Sequence, residues 1–166
     1  MFRILSIPAV VVLTAALAVI SCRPPATAPL PASSGIPAGG VEQRVFSYIN
    51  SSRASAGRKP LQRDAFLDSL AMEHARDTMK LGRLGHAGMQ RRMVRANQEI
   101  GASIFAENVH SVRPSADPAR QLVQEWLTSA VHRKNILAPA YNKTGVGAVA
   151  DSAGTLWAVQ VFAKAP

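Results

Sequence analysis

Three short stretches carry the side chains best suited to chemistry. They are Leu84-Gly85-His86, Ala106-Glu107-Asn108, and the run Ser129 to Leu137 that contains His132. Two imidazoles and a carboxylate are a donor set for a divalent metal such as zinc, and the same groups move protons near neutral pH. In a metal-assisted hydrolase, His86 and His132 would hold the ion or act as base, and Glu107 would be ligand or general base. A plainer reading has Glu107 accepting hydrogen bonds from both imidazoles and pinning helices to a sheet, since buried polar groups need such partners. A serine hydrolase is disfavoured. No Gly-x-Ser-x-Gly turn is present, and Ser129, three residues before His132, reads as a helix cap.

These residues matter only if the surrounding elements bring them together. Val41, Val45, Tyr48 and Ile49 share one helical face, and Gly57 and Pro60 end that helix. A second helix starts near Asp64, with Leu67, Leu70, Ala71, His74, Thr78 and Leu81 as its stripe, and Gly82 and Gly85 close it. His74, alone on an apolar face, reads as a packed core residue bonded through one nitrogen. Met89 to Glu99 reads as a short basic helix whose arginines, Arg92 among them, form a solvated face. Ala102 to Val112 reads as a strand. Asp117 caps a long helix through Ala130, and a short helix runs from Ser129 to Leu137, ended by Pro139. Two strand-like runs, Thr144 to Ala150 and Thr155 to Ala163, flank a turn at Asp151-Ser152-Ala153-Gly154. Helices followed by a terminal hairpin predict an α+β sandwich, an antiparallel sheet covered by helices.

The N-terminus has its own logic. Arg3, the apolar run Ile4 to Ile20 and Val19-Ile20-Ser21-Cys22 have the layout of a secretory signal, 1–21, rather than a spanning helix. Cys22 is the only cysteine, so no disulfide can form within the chain. Val-Ile-Ser-Cys resembles a bacterial lipobox, in which Cys22 is acylated, for example with palmitate, and anchors the chain in a membrane. An ordinary signal cut elsewhere is the alternative. Several acyl chains would anchor stably, since burial contributes about 0.8 kcal/mol per CH2. Arg23 in place of the usual retention aspartate leans toward an outer membrane facing the periplasm, if the cell has two membranes. Segment 22–40, rich in Pro, Ala, Ser and Gly, reads as a tether, and 41–166 as the folded domain.

The formal charge of +9 draws the chain toward anionic surfaces. No nucleic-acid motif and no phosphate-cradling glycine loop accompanies it, so lipid or cell wall is the expected partner rather than nucleic acid. Oligomeric state is not legible.

Taken in order, Ile49-Asn50, Arg53, Gly57, Pro60-Leu61, His74-Ala75, Leu84-Gly85-His86, Ala106-Glu107-Asn108-Val109, Trp126, His132 to Leu137, Gly145-Val146-Gly147 and Val159 to Phe162 resemble the bacterial CAP domain. CAP stands for cysteine-rich secretory proteins, antigen 5 and pathogenesis-related 1, and the domain is also called SCP-like. The resemblance implies an α-β-α sandwich with a central cleft where two histidines and two acidic residues face each other. His86, Glu107 and His132 would be three of the four. Three residues after Trp126, where the eukaryotic pattern has Glu, stands Ser129, so the tetrad is incomplete. Glu125 is close by but on a different helical face from Ser129. Other departures are Ala106 for Gly, Ala130-Val131 for Pro-Gly, and the absence of disulfides. Sterol and lipid binding and secreted interaction roles are known in the family, and proteolysis has been proposed for some members. The expectation is an exported, membrane-anchored domain that binds a lipid-like or cell-envelope ligand through the cleft. Metal-assisted hydrolysis is the alternative.

Overall fold

A computed structural model describes residues 40–166. The leader 1–21, Cys22 and all but the last residue of the tether lie outside the described residues. The elements run α1 (Val41–Ser55), β1 (Gln62–Arg63), α2 (Ala65–Leu81), α3 (Met89–Ile100), β2 (Ile104–Val112), α4 (Pro118–Thr128), α5 (Ala130–Leu137), β3 (Lys143–Ala150) and β4 (Leu156–Lys164). Among the described residues no helix is long and apolar enough to cross a membrane.

Strand period two sorts the core into two layers on either face of one sheet. Along β4, Leu156, Ala158 and Phe162 face one way, and Val159, Val161 and Ala163 the other. The first set packs with Val45, Tyr48 and Ile49 of α1, Leu122, Val123 and Trp126 of α4, and Ile136 of α5. The second packs with Leu67, Leu70, Ala71 and Ala75 of α2 and Ala96 of α3. The result is the expected three-layer α-β-α sandwich.

The sheet order is β1-β3-β4-β2. The three long strands pair antiparallel, as the terminal hairpin predicted. The fourth corrects the expectation of a purely antiparallel sheet: β1 pairs parallel with β3, Gln62 opposite Lys143. Two residues carry no periodicity to read. They are placed from outside, by Asn50, whose side chain brackets Leu61, donating to its carbonyl at 3.0 Å and accepting its N–H at 2.8 Å.

The layers are fastened at specific points. Asp64 caps α2 through Phe66 N and Leu67 N, and Gly82 ends it at φ 62°. Asp117 caps α4 through Arg120 N and also accepts Tyr48 Oη at 2.6 Å, joining α1 to α4. Ser129 does stand at the N-cap of α5, with extended backbone, but its side chain makes no capping hydrogen bond. Helix α2 lies directly on β3. A Cβ on Gly145 would come within 2.0 Å of the Leu67 backbone, and one on Gly147 within 2.1 Å of Met72 N. Between them Val146 N donates to Asp68 Oδ1 at 2.8 Å. The Gly-Val-Gly signature is therefore a contact between helix and strand backbones.

Candidate functional site

Glu107 sits on β2, the strand at one edge of the sheet, and its side chain is fully buried. Its carboxylate is held by a residue that sequence reading assigned to solvent. Arg92 of α3 donates from Nε to Oε1 at 2.5 Å and from Nη2 to Oε2 at 2.9 Å, the two-pronged geometry that fits a carboxylate best. Nη1 reaches the carbonyl of Ala87, so Arg92 also pins the loop that carries His86. The solvated-face reading of Arg92 is thus corrected. Met89, Arg92, Met93, Ala96 and Ile100 make one helical stripe, and the arginine inside it was a legible signal.

His86 lies in the loop between α2 and α3. Its Nδ1 meets Glu107 Oε2 at 3.2 Å, and its side chain is 51% exposed. His74, beneath the loop, behaves as a packed core residue. Its Nε2 donates to Gly85 O at 2.8 Å and lies 3.9 Å from Glu107 Oε2, while Nδ1 has no hydrogen-bond partner among the described residues. Burial, then the Arg92 charge, push the His74 pKa below 6.5, against the opposing pull of Glu107.

Among the described residues His132 makes no hydrogen bond to Glu107; it sits with α5, on the layer that the next residue of β2 faces, yet near enough to His86 for that charge to act on it. Glu107 and Val109 point to the α2–α3 layer, whereas Asn108 and His110 point to the α4–α5 layer. On that second face His110 Nε2 meets Glu125 Oε2 at 2.5 Å, and Gln121 supports the other carboxylate oxygen at 2.9 Å. The His110 and His132 rings are 6.4 Å apart. Burial, then the charges of His110 and His86, lower the His132 pKa. Asn108 fixes the backbone around it, donating to His132 O at 3.1 Å and accepting from Asn135 Nδ2 at 2.9 Å.

The site is therefore two carboxylate–imidazole pairs, Glu107–His86 and Glu125–His110, on opposite faces of an edge strand. Glu125 supplies a second acidic group through His110, which the sequence reading passed over. Its signal was the alternation Asn108–His110 on one face of β2. Among the described residues no group of three or more His, Cys, Asp or Glu side chains is arranged to hold a metal ion. Arg92 sets a positive charge against both oxygens of Glu107, and that charge opposes a zinc ion held by His86, Glu107 and His132.

Known proteins share this frame. Residues 46–162 match the model of the CAP, cysteine-rich secretory protein family, and the chain belongs to that family. Among its relatives is the uncharacterized protein YkwD of Bacillus subtilis (strain 168), 29% identical over 127 residues, 74% of this chain. The match covers 47% of that protein's length. Among solved structures, an extracellular protein containing a SCP domain from Bacillus anthracis str. Ames aligns with TM-score 0.65 and 25% identity over 75% of this chain and 40% of its own. An outer surface protein from Borrelia burgdorferi shares the fold with TM-score 0.65 and 20% identity over 75% of this chain and 92% of its own.

Proposed function

We propose that the chain is an exported, envelope-tethered binding domain that takes a lipid-like ligand beside the His86 loop. It is not read as an enzyme. One observation carries this reading. A groove of about 500 Å³, within the range of small-molecule sites, runs between the end of α2 and the start of α3. Leu81, 59% exposed, and Leu84, 43% exposed, offer it apolar surface, and Lys80, Arg83 and Arg91 outnumber the acid Asp77 along its lining. An apolar wall with cationic edges suits an anionic amphiphile. The groove continues to His74 and Gly85, so a ligand there touches the network that holds Glu107. Extracellular and outer-surface relatives support export, and acylated Cys22 would tether the chain to the membrane whose lipids it samples.

The metal-assisted hydrolase is disfavoured by the Arg92–Glu107 pair. The guanidinium already pairs with this carboxylate, and its positive charge opposes a second cation bound at the same oxygens. The test is to purify the full chain from its own membrane, extract it with organic solvent and weigh what is released. An amphiphile in near-equal amount to the protein is expected, and it should be absent from a Leu81→Asp/Leu84→Asp variant. No amphiphile, or the same yield from the variant, would sink the proposal.

A further inference from the structure

A second pocket, of about 550 Å³, shares no lining residue with the histidine site. It opens where the end of α1 and β1 meet the loop between α5 and β3 and the last residue of β4. Its walls contain Arg53, Arg58, Lys59 and Lys164 and no Asp or Glu. Among the described residues none of these four cations forms an ion pair.

Arg53 is the unusual member, because it is 1% exposed. Its Nε donates to Lys59 O at 2.9 Å, and its Nη1 to Ile136 O at 2.6 Å and Ala138 O at 3.1 Å. Those last two carbonyls close the C-terminus of α5, whose dipole offsets part of the charge. Nη2 makes no hydrogen bond among the described residues, and it is not one of the fully enclosed atoms that lack a partner. That nitrogen is therefore not sealed inside the protein, and Arg53 is among the residues that line the pocket. A buried charge ordinarily has a carboxylate beside it. Here the neighbour is a second cation, and burial followed by the Arg58 charge lowers the pKa of Arg53.

We propose that this pocket is an oxyanion site for a phosphate group, carried by free phosphate or by a lipid headgroup. The buried guanidinium edge supplies fixed donors, and Arg58, Lys59 and Lys164 supply mobile charge around them. A phosphate group, with two or more terminal oxygens set tetrahedrally and at least one full negative charge, lets the fixed guanidinium edge and the mobile cations engage it together. Tyr141, packed on Phe162 with ring centroids 5.5 Å apart, makes the apolar wall.

The test is backbone-amide NMR of the labelled full chain in nonionic detergent. It is titrated with inorganic phosphate at constant ionic strength and, separately, with phosphatidylglycerol added to the micelles. Saturable shifts at Gly57, Gln62 and Asn142 are expected. Arg58→Ala/Lys164→Ala should weaken the apparent affinity about tenfold, as expected for losing charge-assisted contacts. Both side chains are outside the core, so an unchanged melting temperature should accompany that loss. Saturation by phosphate marks a free oxyanion as the ligand, and saturation by phosphatidylglycerol alone marks a headgroup. Each result supports the site. No saturable shift in either titration, or a double variant that binds as tightly as the parent, overturns it.

Discussion

Glu107 carries more of the site than any other residue, and it does so as a partner rather than as a reagent. Its fully buried carboxylate and the nearly buried Arg92 guanidinium neutralise each other. Removing one member of such a pair strands the other charge. Glu107→Gln should therefore cost about 3 kcal/mol in denaturant unfolding. Glu107→Gln/Arg92→Met should recover part of that loss, and strict additivity of the two changes would refute the pairing. The histidines make a second prediction. His74 and His132 both have pKa values below 6.5, from burial first, then from Arg92 for His74 and from His110 and His86 for His132. A lowered histidine pKa means that the unfolded chain binds the proton more tightly. These two residues thus favour folding above pH 6.5, and that contribution is lost as pH falls through 6.5 toward their folded values. Unfolding free energies measured between about pH 7.5 and pH 5 should fall, and His132→Gln should flatten the slope. An unchanged slope would show that His132 does not titrate this way. At this scale the sequence was partly legible. His74 was placed correctly because a lone imidazole in an apolar stripe has few alternatives. Arg92 was misjudged because a basic helix suggests solvent, although its stripe spacing pointed inward.

At the level of elements, one strand decides how the site is divided. β2 has its outer edge unpaired in the sheet, and its pleat sends Glu107 to one layer and Asn108 and His110 to the other. The motif Glu-Asn is thus two instructions. The acid locks α3 and the His86 loop, and the amide locks α5. The expectation of one cleft for His86, Glu107 and His132 carried no such parity, which neighbouring positions on a strand always impose: Glu107 and the amide that holds the His132 backbone leave β2 on opposite faces. The contact of α2 with β3 makes an independent prediction. Gly147→Ala would place a methyl carbon 2.1 Å from Met72 N, which is backbone and cannot swing aside. The variant should lose at least about 3 kcal/mol, the upper range for overpacking. Gly85→Ala, with nothing within 4 Å of its new Cβ, should lose far less. Equal melting temperatures for the two would show that α2 does not rest on β3 in this way. Helices and the hairpin were readable from periodicity and caps. β1 was not, because its two residues are ordered by Asn50 and β3 rather than by any pattern of their own.

Across the whole molecule, charge and tether bear on the same partner. The formal charge is +9, and cations line both the groove beside His86 and the pocket around Arg53. Without its acyl anchor, the chain should bind phosphatidylglycerol vesicles in a way that weakens steeply as sodium chloride rises, because exposed charges are screened within about 10 Å at 0.1 M, whereas the acylated chain should stay bound. Cys22→Ala should leave a salt-sensitive, non-anchored remainder, and membrane retention of that variant in high salt would argue against acylation. The fold was legible because local stripes, turn glycines and family motifs agreed along the chain. The chemistry was less so, since three titratable residues in sequence do not say which of them already have partners. The most direct test of the binding reading is calorimetric titration of the full chain with Zn²⁺, beside His86→Ala/His132→Ala. With Glu107 held by Arg92, both proteins should give the same weak, non-saturating heats. A one-to-one isotherm in the parent that disappears in the double variant would contradict the account and restore a metal centre.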